Sequence, residues 1–232
     1  MNKLKQSAFL GLPGVVLAVS LLSVSAVTWS ADQAVVDAKE ETAEYAAPRW
    51  SLEFKGGKYK PDLELYKEFY GSDTNTFLAI GGAWRVNNWF ELGGELGYSK
   101  DRGVGLLPNS GETGGNVKYT LMPLQLFANF RYDRSLNQLF VPYAGIGLVT
   151  AWYRQEIDQQ PDRKGRTDVG GSARVGLQLL LNRLDKSSAQ YLRGDRRLRS
   201  YLFLEGQYFS TKVDGIDLGG EILLLGLRME FD

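Results

Sequence analysis

The chain contains no cysteine and no histidine. Without a thiol or an imidazole it cannot assemble a Ser-His-Asp triad, a cysteine nucleophile, a zinc site of the usual ligands or a c-type haem attachment. Carboxylate pairs and Ser-Lys pairs are the catalytic options left. An excess of charge is also lacking, since Lys plus Arg is 27 and Asp plus Glu is 27. That balance argues against a nucleic-acid partner and against a charged tail. Past the first 26 residues no apolar run reaches the length of a spanning helix, so any membrane crossing must be made by strands. Glycine, by contrast, is plentiful: 27 residues in 232, against a usual level of roughly 7%. It comes with 5 Trp, 12 Tyr and 11 Phe and no collagen-like period. This mixture suits β-structure with close backbone approaches, and the length suits one all-β domain.

Residues 1–26, "MNKLKQSAFLGLPGVVLAVSLLSVSA", carry Lys3 and Lys5, an apolar stretch from Ala8 to about Leu22, and the small-residue ending Val24-Ser25-Ala26. This is the pattern of a secretory signal peptide, with cleavage expected after Ala26 and Ala31 as the next choice. Residues 27–48 are rich in Ala and acidic residues, lack strand periodicity and end at Pro48, so they read as an acidic periplasmic leader. From residue 49 to 232 the character changes to repeated alternation of apolar and polar residues.

Eight alternating runs lie near residues 50–60, 76–86, 89–100, 117–131, 139–154, 169–182, 199–212 and 218–231. Most exceed the five or six residues of an average soluble strand and are long enough for a tilted strand to cross a bilayer. The connections 61–75, 101–116 and 155–168 are long, while Asn87-Asn88 is a two-residue turn. With a periplasmic N-terminus, the long connections face outward, the asymmetry expected of a transmembrane barrel. The segment 183–198 breaks that rule as a long inner excursion.

Assigning the apolar set of each run to one side leaves Glu53, Lys55, Arg85, Glu91, Glu95, Gln125, Asn129, Arg131, Arg154, Arg174, Gln178, Glu205, Gln207, Arg228 and Glu230 on the opposite side. Leu52, Phe54, Leu92, Leu96, Leu124, Leu126, Val175, Leu177 and Leu204 fall on the other. In "ELGGELG" the polar set is interleaved with Gly93 and Gly97, which suits a crowded lumen. Aromatic residues near run ends, among them Trp50, Trp84, Trp89, Phe90, Tyr98, Tyr119, Phe130, Tyr132, Tyr143, Trp152, Tyr153, Tyr201, Tyr208 and Phe231, suit interfacial girdles. The expected fold is therefore an eight-stranded antiparallel up-and-down transmembrane β-barrel, apolar outside. Its interior is only wide enough to be filled by side chains, so five acidic and six basic groups there imply an ion-paired plug and not an open pore.

The stretches "WSLEFKGGKYKPD", "VPYAGIGL", "YLFLEGQY", "DGIDLGG" and the terminal "GGEILLLGLRMEFD" resemble the small eight-stranded Gram-negative outer-membrane barrels of the OmpA, OmpX and OmpW type. Within that group the sequence is most similar to an uncharacterised outer-membrane β-barrel family, over residues 50–232. The resemblance implies an outer-membrane location and contacts with membrane lipid and lipopolysaccharide. It also implies recognition of the last strand by the barrel assembly machinery through Gly226, Met229 and Phe231. Leu224, where a polar residue is usual, and Asp232 after the aromatic depart from that pattern. Enzymes of similar barrel size use histidine, absent here, so no enzymatic activity is expected.

Other candidates have plainer explanations. Glu91 and Glu95 share a face but fit a lumen ion-pair network better than an acid-base pair. Asp214 and Asp217 in "VDGIDLGG" fall short of the six to eight oxygens of a Ca²⁺ site and read as turn chemistry. No cofactor or metal is expected. The basic segment 183–198 could meet anionic lipid headgroups or a periplasmic partner, or be a solvated loop. Tyr66, Phe69 and Tyr70 could form an exposed surface or cap the barrel mouth. The expected role is structural or surface-interacting, in a monomer. The alternatives are a narrow channel or carrier for a small hydrophobic molecule and a soluble periplasmic lipid-binding barrel.

Overall fold

The computed structural model describes residues 48–63, 66–106, 113–135, 138–157, 161–184 and 198–232. The expected signal peptide and nearly all of the leader, with most of the basic segment, lie outside them. Eight long strands follow in order: β1 (Trp50–Pro61), β2 (Asn75–Arg85), β3 (Phe90–Leu106), β4 (Thr113–Arg131), β5 (Phe140–Ile157), β6 (Gly170–Leu180), β7 (Arg199–Ser210) and β8 (Gly220–Phe231). Each pairs antiparallel with the next. The first and last also pair, from Trp50↔Phe231 to Pro61↔Gly220, so the sheet closes on itself and leaves no edge.

Smaller elements decorate the loop ends. A single-turn helix α1 (Tyr66–Tyr70) sits in the β1–β2 connection, and the strand Arg163–Arg166 adds to the loop end of β5. The β7–β8 connection holds a hairpin pairing Val213 with Ile216. Its turn needs left-handed backbone at two positions, Asp214 (φ 50) and Gly215 (φ 82), which Asp and Gly tolerate. At the opposite end, Asn87 Oδ1 accepts hydrogen bonds from the Trp89 and Phe90 amides and fixes the tight β2–β3 turn.

Alternation decides the two faces. On the outside, Ile146 is 72% exposed and Leu126 61%, with Leu78, Leu148, Val175, Leu204, Leu223 and Leu225 similarly bare. A water-soluble barrel would bury this set, so the exterior suits lipid and not water. Trp50, Trp84, Phe90, Phe130 and Phe231 form a ring at the end that carries the tight turn, while Tyr98, Trp152 and Tyr208 mark the other. Tyr119, Tyr143 and Tyr201 are not girdle residues. Their parity turns them inward and they are buried. Tyr153 also points inward and packs on the inner apolar cluster.

Small inward residues make room for large ones. A Cβ at Gly97 would collide with the Phe77 ring and with Pro123, and one at Gly93 with the Phe127 ring. The ladder between β3 and β4 lapses at Gly97 and Tyr98, opposite Met122 and Pro123, because Pro123 has no N–H to give.

Candidate functional site: the filled lumen

The lumen is layered. Nearest the tight-turn end, Asp133 accepts from Arg85 Nη1 at 3.0 Å and from both terminal nitrogens of Arg199 at 2.9 and 3.2 Å. Arg85 Nη2 donates to Glu230 Oε1 at 3.0 Å, and Arg131 joins Glu230 to Gln178, donating to Gln178 Oε1 at 2.6 Å. Asp133 follows β4, outside the membrane-spanning strands. Burial works against its charged form, but the Arg199 guanidinium, with Arg131 and Arg85 beside it, holds its carboxyl below the ordinary aspartate value.

One layer further in, Arg228 contacts three carboxylates: Glu53 at 2.6 Å, Glu230 at 2.9 Å through Nε, and Glu91. Glu91 also accepts from Asn129 Nδ2 at 2.9 Å. Above this, Lys55 Nζ lies 3.1 Å from Glu53, 2.6 Å from Glu95 and 2.8 Å from Glu205. Arg174 reaches Glu95 at 3.1 Å and Gln125 Oε1 at 3.0 Å while its guanidinium lies over the Phe127 ring, 3.9 Å from the centroid. Tyr143 donates to Glu205 at 2.7 Å, and Gln207 Nε2 bridges Glu95 and Glu205.

The half of the lumen toward the long loops has a different composition. Tyr59, Phe77, Leu121, Val149, Phe209, Ile222 and Leu224 pack there with almost no exposure. Tyr59 stacks on Phe209 at 5.7 Å and donates to the Leu218 carbonyl at 2.7 Å. Helix α1 folds over this layer: Tyr70 packs against Tyr119, and Tyr66 donates to Asp101 at 2.5 Å. Burial pushes the Tyr66 phenol well above its ordinary value, helped by the hydrogen bond to Asp101, and pushes Tyr70 up to about 12. The Phe69 side chain lies outside the described residues.

Among the described residues, Glu53, Glu91, Glu95, Asp133, Glu205 and Glu230 are the buried carboxylates, matched by Lys55, Arg85, Arg131, Arg174, Arg199 and Arg228. Each touches an opposite charge. This is the condition under which charges persist in a low-dielectric interior. The lumen residues expected from parity fall inside and into this one network, with one correction. Arg154 shares the outward face of β5 with Trp152, is exposed, and pairs with Asp162 at 2.7 Å. Two interior charges were missed, Asp133 and Arg199. Asp133 continues the inward parity 129-131-133 one step past the end of its run, and Arg199 opens the inward set 199-201-203 as the first residue of its run.

The chemistry available is limited. Glu91 and Glu95 point to different cations and do not form a pair. Asp217 accepts hydrogen bonds from Ser210 Oγ and from the Thr211 and Gly219 amides, acting as a turn brace. No cluster of three metal-ligating side chains occurs among the described residues. In the last strand, Gly226 faces the lumen against the Phe203 ring, while Met229 and Phe231 face outward.

No family model and no curated protein matches the chain. Among solved structures, Neisserial surface protein A superposes with a TM-score of 0.50 and 14% identity, covering 81% of this chain and all of that one. The outer membrane protein OprG of Pseudomonas aeruginosa gives 0.47 at 14% identity, covering 80% and 98%. Ail of Yersinia pestis gives 0.44 at 13% identity, covering 79% and 99%. At such identities a likeness bears on fold alone, and the match to Neisserial surface protein A carries it. The chain folds as a small eight-stranded barrel of the outer-membrane kind.

Proposed function

We propose that the protein is a monomeric, non-enzymatic outer-membrane barrel whose role is structural or surface-interacting and whose lumen is closed to ions. The observation that carries this reading is the filling of the interior by a charge-matched network beneath an apolar layer. An ion entering would have to break several buried pairs and then pass the closely packed side chains of Tyr59, Phe77, Phe209 and Leu224. The outer wall supports the membrane placement, in contact with lipid and lipopolysaccharide. Gly226, Met229 and Phe231 in the closing strand are the proposed signal to the barrel assembly machinery. Residues 1–26 are the proposed export signal. The test is reconstitution of the refolded barrel in a planar bilayer. A protein whose mobility shifts on boiling and that shows no stable conductance supports the reading; ohmic steps from the same folded material overturn it.

A second reading has its own support. The apolar half of the lumen lies beside the lapse in the β3–β4 ladder at Pro123, the arrangement a narrow carrier for a small hydrophobic molecule would use. Uptake of a lipophilic dye into vesicles containing the protein, abolished by filling the layer with Ala79→Leu, would favour it over the closed barrel.

A further inference from the structure

The outward face of β3, β4, β5 and the Arg163–Arg166 strand is unlike the rest of the wall. Just beyond Tyr98, Met122 and Trp152, the last outward side chains of the apolar belt at that end, stand Lys100, Arg102, Lys118, Arg154 and Lys164, with Arg166 directly across from Trp152, all exposed. Sheet register places like charges directly opposite twice, Arg102↔Lys118 and Arg154↔Lys164. Such cross-strand pairs repel. Glu156 and Asp162 answer part of the charge, through Lys118–Glu156 at 3.5 Å, Arg154–Glu156 at 3.2 Å and Arg154–Asp162 at 2.7 Å. Lys100, Arg102, Lys164 and Arg166 form no ion pair with any described residue. On the opposite wall, Lys60 stands across from Glu221. At the other rim the same depth is occupied by Trp50, Trp84, Phe90 and Phe130.

We propose that this patch is a docking site for the phosphorylated headgroup of an outer-leaflet lipid. Strands lie about 4.8 Å apart and alternate residues about 6.8 Å apart along a strand, so the six bases cover a field roughly 15 Å across. That field can take more than one phosphate. Arginine presents a fork of donors to phosphate oxygens, and lysine a point charge. The position selects a lipid over a free anion: the apolar belt that would hold acyl chains runs continuously into the patch, so chain and headgroup are met at the depths they occupy in a leaflet. Bound phosphate would also remove the repulsion across both like-charge pairs. The inference rests on the membrane reading above, with the long loops facing out.

The test uses the mature barrel refolded in neutral detergent, with its unboiled mobility checked first. The probes are purified lipopolysaccharide, the same material after enzymatic dephosphorylation, and inorganic phosphate. The variant is R102Q/K164Q, which takes one member from each like-charge pair and so should not harm folding; K58Q/K60Q is the control. The expected result is at least about a tenfold weaker affinity for lipopolysaccharide in R102Q/K164Q, with heat resistance in lipid-free detergent equal or higher, little change in the control, and weakening with salt. Equal affinity of the variant and wild type overturns the proposal. Equal binding of dephosphorylated lipid does too, as does displacement by an excess of inorganic phosphate. A protein that needs no detergent and shows no mobility shift fails the membrane reading itself, and that is seen before any lipid is added.

Discussion

Replacement of Arg228 by Met gives the sharpest test of the charge-matched lumen. The guanidinium touches Glu53, Glu91 and Glu230, and its residue is 2% exposed. Methionine preserves much of the volume, so the change is chiefly electrostatic. Removing one partner of a buried ion pair costs about 3–5 kcal/mol because the other charge stays behind unpaired. Here the stranded carboxylates keep other contacts: Glu91 and Glu230 retain Arg131, and Glu53 retains Lys55 at 3.1 Å. The loss should therefore fall at the lower end, about 3 kcal/mol. With a urea dependence of about 2 kcal/mol per molar, the unfolding midpoint should drop by about 1.5 M. The measurement is urea titration of the refolded barrel in lipid vesicles, followed by Trp fluorescence and by unboiled gel mobility. Arg228→Met combined with Glu91→Gln restores the charge balance, so the double variant should recover part of the loss, with a coupling of about 0.5–3 kcal/mol. A single variant within 1 kcal/mol of wild type, or a double variant as poor as the sum of its parts, would refute the reasoning.

Three further outcomes are expected. Leu225→Arg, in the middle of the lipid-facing wall, should destabilise the barrel by about 2–4 kcal/mol in vesicles, whereas Lys58→Gln near the rim should change stability little; urea titration compares them. Asp133 has its acidity raised by Arg199, so it contributes stability that is present above the ordinary aspartate range and lost as pH falls through its lower folded-state value. Asp133→Asn should remove that contribution at neutral pH and flatten the acid limb of the stability curve, which unfolding midpoints measured across pH would show. Tyr66→Phe removes the hydrogen bond to Asp101 and should release helix α1, seen as faster cleavage of the β1–β2 connection by added protease while the barrel strands stay protected.

The eight strands, their parity and the closing role of the last one were legible in the sequence, because alternation is a property of neighbouring residues. Parity also gives the outward Leu126 and the inward Glu91 without reference to any distant contact. Where the reading erred, the cause was local. Residue type misleads at Arg154, Tyr143 and Tyr201, whose places in the alternation put them on the opposite face, and the alternation fades at Arg199 and Asp133, where strands merge into turns.

What the tertiary structure alone decided is which charge meets which. Lys55 finds Glu205 150 residues away, and Arg228 finds Glu53 at a separation of 175. Those meetings depend on closure of β8 onto β1 and on the register of every seam between. The division of the lumen into a charged half and an apolar half arises in the same way, since Tyr59, Phe77, Leu121, Phe209 and Leu224 lie on five different strands and reach one level only when the strands are aligned. The two like-charge pairs on the outer wall have the same origin. A period of two assigns a side chain to a face, and only the closed sheet assigns it a height and a neighbour.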